Sequence, residues 1–217
     1  LRREWVDGMS AEARAAHQVA SLLLSYPDQD LLDRVPLLRQ AAGGCTEPAS
    51  APLLRFLDHL ESTPLGELQR AYVATFDMKR RRCLYLTFWT HGDTRVRGQA
   101  LLAFKERYAA SGARFEAAEL PDHLAVVLEF AATVDPAAGV ELLVEHRPAL
   151  TLIREALAAA DSSYSLVIDA VEATLPAARG DVLDRARRIA RDGPPREMVG
   201  LEPYPVPPSM ESLGSRR

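Results

Sequence analysis

An all-α fold follows from three features of the sequence. Apolar residues recur at three- and four-residue steps along most of its length, Ser, Asp, Pro and Gly punctuate it at helix-length intervals, and no segment alternates apolar and polar residues between hairpin turns. The expected architecture is a single bundle of about eight to ten helices over residues 10–192, followed by an extended or disordered, Pro-rich tail over 193–217. With 47% hydrophobic and 26% charged residues, the 217-residue chain carries enough apolar content for one core and lies far from a disordered composition.

Ser10 caps the first helix, in which Ala13, Ala16, Ala20, Leu23 and Leu24 share a face before the stop signal at Pro27. Asp30 opens a second helix through Leu31, Leu32, Val35 and Leu38, kinked at Pro36 and ended by Gly43 and Gly44. Ser50 and Pro52 start a third on Leu53, Leu54, Leu57 and Leu60. Thr63 and Pro64 start a fourth, where Leu65, Leu68, Tyr72, Thr75 and Phe76 line one side. The run from Lys79 to Trp89 then passes straight from basic residues into an aromatic block. Asp93 or Thr94 caps a long helix through Tyr108 that exits at Gly112. Pro121 suits the first turn of the next helix, whose buried stripe is Leu124, Val127, Leu128 and Ala131. Further helices begin at Asp135-Pro136, Pro148, Ser165 and Asp181. Short connections make consecutive helices antiparallel neighbours.

A net charge of -4 and a pI near 5.8 give no general attraction to nucleic acid or anionic lipid. No stretch approaches the roughly 18 apolar residues of a membrane span, and no secretory pattern is present. A cytoplasmic protein is expected, monomeric or weakly dimeric and without stable membrane association. Cys45 and Cys83, expected to be reduced and buried, have neither the number nor the spacing of a metal knuckle or disulfide framework. Phosphate loops, metalloprotease helices and nucleophile elbows are missing, and the five histidines are scattered. The reading is therefore of a protein that is not an enzyme and uses no cofactor or metal.

Two places depart from ordinary bundle sequence. Glu119-Leu120-Pro121-Asp122-His123 gathers two carboxylates and an imidazole at a helix start, which fits either capping or a functional cluster. The block from Lys79 to Thr94, with Arg95 and Arg97, fits either a solvated basic turn leading into a core segment or a partner surface.

These segments carry a resemblance. LQRAYVATFD at 68–77, RRCLYLT at 81–87, HGDTR at 91–95, ELPDHL at 119–124 and VGLEPY at 199–204 occur in the order found in the NarJ-type delta-subunit chaperones of nitrate reductase. That family lies within the wider TorD/DmsD-like group of molybdoenzyme chaperones. The ELPDH segment is shared with the wider group, whereas the LYLT and HGDTR segments resemble the nitrate reductase branch. Trp89 departs from the family's tyrosine.

The resemblance implies an all-helical, non-catalytic assembly chaperone. It implies binding to the N-terminal peptide of the apo nitrate reductase catalytic (alpha) subunit and support of molybdenum cofactor insertion before membrane attachment. Helix-in-groove capture of such a peptide needs apolar anchors, for which Tyr72, Phe76, Tyr85 and Phe88 are the candidates. Glu119 and Asp122, and less directly Asp77, are the acidic groups for a basic leader, and His123 adjoins them. Exchanging Asp122 and His123 for alanine is expected to lower peptide affinity without altering helix content.

Three other readings remain. The partner would be another molybdoenzyme of the DMSO or TMAO reductase type, or the basic run would serve a helical DNA-binding regulator, or Glu119, Asp122 and His123 would supply acid-base chemistry. The second is disfavoured because the basic run leads into Leu-Tyr-Leu-Thr-Phe-Trp and not into a helix displaying base-reading side chains. The third lacks any substrate-holding motif.

Overall fold

The computed structural model describes residues 10–116, 119–177 and 180–193. The expected extended or disordered tail beyond Gly193, including the motif at 199–204, lies outside the described residues. Among those residues twelve α-helices, one π-turn and one 3-10 turn form, and no strand. The all-α class holds, more finely divided than expected.

Helix α1 (Ala11–Leu23) starts where Ser10 Oγ accepts the Ala13 N–H at 3.2 Å. The expected second helix is two. Asp28, not Asp30, caps α2 (Gln29–Asp33), the chain breaks at Arg34, and α3 (Val35–Gly43) begins anew with Pro36 in its first turn. Pro36 has no N–H to satisfy there, so it starts a helix in place of kinking one. Next come α4 (Ser50–Ser62) and α5 (Leu65–Tyr72). Ser50 is not a cap; its hydroxyl donates to the Ala42 carbonyl and ties α4 to α3.

After a π-turn (Val73–Asp77) and a 3-10 turn (Arg80–Arg82), α6 (Leu86–His91) forms within the aromatic block. Helix α7 (Arg95–Ala110) follows and leaves through Gly112, whose φ of 79° is the left-handed exit expected of a glycine. The helix after Pro121 begins only at Leu124 (α8, Leu124–Thr133), so Pro121 belongs to the preceding turn. Asp135 Oδ1 accepts from Ala138 N–H and caps α9 (Pro136–Glu145). The remaining helices are α10 (Arg147–Ala158), α11 (Tyr164–Ala173) and α12 (Gly180–Asp192).

Packing is centred on α1 and α8, with α9 against α8, α11 bridging α1 and α4, and α10 linking α11, α12 and α6. The core is one cluster running from Ala16 to Ala186, with Leu23, Leu53, Phe56, Leu57, Leu124 and Leu128 fully enclosed. Each such side chain contributes roughly 1.5–3 kcal/mol through removal from water. Gly139 lets α9 approach α8 closely, because a Cβ there would overlap Ala131 Cα and Cβ. Helix α7 is held mainly by Phe104 and Tyr108, and its Val96 and Leu102 face solvent. No described helix is long and apolar enough to cross a membrane.

Candidate functional site

The π-turn re-aims the motif at 68–77. Met78 N–H reaches back five residues to the Val73 carbonyl at 3.1 Å, which widens the backbone and inserts one residue into the helical register. Thr75 and Phe76 turn inward, while Asp77 and Met78 return to solvent, Met78 with 71% of its surface exposed.

Tyr72 sits at the boundary. Its hydroxyl donates to the Leu24 carbonyl at 3.1 Å, and its ring meets Tyr26 edge-on at 5.5 Å, Phe76 at 4.9 Å and Tyr164 at 5.8 Å. Burial first, and then the negative charges of Asp77 and Glu119, push its phenol up to about 12. Two carboxylates from distant parts of the chain thus act on one tyrosine whose ring meets an exposed Tyr26.

The second half of the site is a short pairing of residues 84–86 with 122–124. Leu86 N–H donates to the Asp122 carbonyl at 3.0 Å and Leu124 N–H to the Leu84 carbonyl at 2.8 Å, so Tyr85 stands opposite His123 with rings 5.3 Å apart. Tyr85 O accepts from Phe88 N–H and His123 O from Val127 N–H, so both outward carbonyls of this bridge are engaged. Strand addition to this bridge is disfavoured.

Asp122 has no solvent exposure. Its Oδ2 accepts from Thr87 N–H at 3.0 Å and Thr87 Oγ1 at 2.5 Å, so Asp122 caps the first turn of α6 from another part of the chain. Arg97 of α7 lies beside this pair. Its Nε donates to Thr87 Oγ1 at 3.2 Å, its Nη2 is 3.6 Å from Asp122 Oδ2, and its guanidinium covers the Tyr85 ring at 5.5 Å. The Tyr85 hydroxyl donates to Glu119 Oε1 at 2.8 Å; burial and this carboxylate together raise its pKa. Burial lowers the His123 pKa against the pull of Glu119 and Asp122.

Of the eight candidate residues, Asp77 and Glu119 are exposed, Tyr72, Tyr85 and Phe88 are half-buried, and Phe76, Asp122 and His123 are buried. Ring contacts join Tyr72 to Phe76 and Tyr85 to His123, a hydrogen bond joins Tyr85 to Glu119, and the negative charges of Asp77 and Glu119 both reach Tyr72, as those of Glu119 and Asp122 reach His123. Phe88 stands apart, with its ring against Trp89 at 6.2 Å. The double alanine exchange at Asp122 and His123 is no longer a pure surface change, because Asp122 holds α6 in place.

Sequence reasoning missed Tyr26, Met78 and Thr87, and it read Arg97 as part of a basic strip. No local signal marks Thr87, whose partner is 35 residues away. The basic strip is itself broken up: Arg80 pairs with Asp93 at 3.0 Å and Arg97 turns inward. Cys45 is buried and Cys83 half-buried, both free thiols. Two cavities share Arg114 and Phe115, one of about 230 Å³ lined also by Tyr108 and Phe130 and one of about 350 Å³ lined also by Lys105 and Ala109, and none of the eight candidates lines either. Among the described residues no group of three or more His, Cys, Asp or Glu side chains is arranged to hold a metal.

The same helical fold occurs in a putative redox enzyme maturation protein from Archaeoglobus fulgidus. The two are 24% identical with a TM-score of 0.56, over 73% of this chain and 90% of that one. The chain belongs to the nitrate reductase delta subunit family, which matches residues 44–166. It is 43% identical over 155 residues to the nitrate reductase-like protein NarX of Mycobacterium tuberculosis, covering 71% of this chain and 23% of NarX. It is 32% identical to the nitrate reductase molybdenum cofactor assembly chaperone NarJ of Escherichia coli (70% of this chain, 65% of NarJ). Identity is also 32% to the probable NarJ of Bacillus subtilis (71% and 85%).

Proposed function

We propose that this chain is an assembly chaperone for a respiratory nitrate reductase. It holds the N-terminal segment of the immature catalytic subunit in the cytoplasm while the molybdenum cofactor is inserted, and it lets go before membrane attachment. The observation that carries the reading is the π-turn face, where the charges of Asp77 and Glu119 reach the half-buried Tyr72, Tyr26 stands exposed against its ring, and Met78 is exposed at the end of the turn. Family membership and the assembly role of the NarJ relatives support it.

The chemistry matches a short amphipathic leader with basic residues. Ordering such a segment costs about 2–5 kcal/mol. Two or three apolar side chains set against Tyr26, Tyr72, Val73 and Met78 remove roughly 250 Å² from water, which supplies about 6 kcal/mol and offsets that cost. Asp77 and Glu119 then add orientation and a faster encounter more than raw affinity.

Isothermal titration of the protein with the synthetic N-terminal peptide of the catalytic subunit tests this. Asp77→Lys and Met78→Glu change exposed side chains, so helix content by circular dichroism stays at the wild-type value while peptide affinity falls about tenfold each. Wild-type affinity in both variants removes the π-turn face as the docking surface.

A further inference from the structure

The basic run at 79–82 is a sequence motif that leader docking leaves unused, and the fold reduces it to a compact set of cations. Arg80 pairs with Asp93 at 3.0 Å. Lys79 and Arg81 are exposed and Arg82 is half-buried, and none of these three has a carboxylate partner among the described residues. Met78, 71% exposed, stands directly before them.

The turn that carries these side chains is held from beneath. Arg82 N–H donates to the Lys79 carbonyl at 2.9 Å, Cys83 N–H to the Arg80 carbonyl at 3.3 Å, and Trp89 Nε1–H to the Cys83 carbonyl at 3.2 Å. The turn also packs on α10 and on the π-turn. With three residues per turn, side chains 80, 81 and 82 fan out in different directions, so Arg80 reaches Asp93 while Arg81 stays in solvent. The backbone is therefore ordered before any partner arrives, which spares that part of the cost of binding.

Three unneutralised cations on a chain of net charge -4 fit a polyanion met at close range, because local charges act within about 8 Å in physiological salt whatever the field of the whole molecule. Nucleic acid is poorly matched. The turn offers no helix to a duplex groove, and single strands find no open stacking face, since Trp89 is buried and Phe88 half-buried. An anionic bilayer takes the cations on its headgroups and the Met78 side chain at its acyl boundary.

We propose that the basic turn, with Met78 at its edge, is a peripheral contact for anionic phospholipid that brings the protein to a membrane surface without insertion. The contact does not depend on leader binding. Each cation near an anionic surface strengthens adsorption roughly fivefold, so three give about a hundredfold over a neutral surface. With no second anchor the attachment is reversible.

Co-sedimentation of the full chain with vesicles tests the contact, using phosphatidylcholine alone and phosphatidylcholine mixed with phosphatidylglycerol. In about 0.1 M salt the mixed vesicles bind about a hundredfold more strongly than the neutral ones, and about 1 M salt removes the difference. Lys79→Glu with Arg81→Glu changes only exposed side chains and lowers binding to mixed vesicles by at least about 25-fold. Arg185→Glu with Arg188→Glu makes the same charge change at exposed positions of α12 and leaves binding close to wild type. Equal binding to both kinds of vesicle overturns the contact, and so does an equal loss in the two double variants, which marks a diffuse charge effect. A random DNA duplex that binds more tightly than the mixed vesicles, and is lost in the 79/81 variant, also overturns it and assigns the turn to nucleic acid. If the 79/81 variant does not fold by circular dichroism, Lys79→Gln decides: a loss of about fivefold upholds the contact and unchanged binding overturns it.

Discussion

Asp122 and Thr87, 35 residues apart, form the tightest polar contact at the site: one fully buried carboxylate oxygen accepts both the backbone N–H and the hydroxyl of the threonine. The contact joins the two most distinctive motifs of the sequence. It holds the turn at 119–123 against the start of α6, with Pro121 pinned from the other side by the Tyr108 hydroxyl at 2.6 Å. The acidic turn is therefore a structural joint whose outer member, Glu119, faces solvent.

Thr87→Val keeps the shape of the side chain but removes the hydroxyl donor to Asp122 and the acceptor for Arg97. The expected loss is about 1.5–3 kcal/mol, the range for a hydrogen bond to a buried charge, and Thr87→Ser recovers most of it. Urea unfolding checks this, and an unchanged midpoint for the valine variant refutes the joint.

Gly139→Ala forces α9 away from α8, because the new methyl has no room against the Ala131 backbone. Overpacking of this kind destabilises by about 1–3 kcal/mol, and a helix-propensity gain of under about 1 kcal/mol does not offset it. A thermal melt at or above the wild-type temperature contradicts the close approach.

His17 is fully buried, and burial lowers its pKa from the ordinary 6.5 to about 4. The Thr174 hydroxyl donates to the Val171 carbonyl, so it accepts from His17 Nε2–H at 2.7 Å, and burial keeps the imidazole neutral. An unfolded chain takes up a proton near pH 6.5 that the folded one refuses until about 4. The stability from neutral His17 is whole above 6.5 and declines as pH falls, by up to about 3 kcal/mol. His146 and His59, also lowered by burial, lean the same way. Urea midpoints should drop from about pH 7.5 to about pH 5, less steeply in His17→Gln; equal midpoints in the wild type rule this out.

Helix periodicity made the class and most element starts legible, because Ser10, Asp135 and Gly112 act through local chemistry that their neighbours reveal. Pro36 and Pro121 were misplaced by a few residues: proline disrupts a helix but tolerates both its first turn and the loop before it, and local sequence does not distinguish the two. The site was legible as motifs and not as geometry. Phe76 and Asp122 have the residue types of a binding surface, yet the π-turn and the reach from 122 to 87 are tertiary events that put them inside. Tyr26 gains its meaning only once it stands against the Tyr72 ring, and Met78 only once a single inserted residue has turned it out to solvent.

Chemical-shift mapping of isotope-labelled protein on addition of the catalytic-subunit leader tests the central claim most directly. Perturbations should concentrate at Tyr26, Tyr72, Asp77, Met78, Tyr85 and Glu119. Perturbations gathered instead around Lys105, Arg114 and Phe115, where the two cavities lie, with the π-turn silent, would place the partner elsewhere and contradict the account.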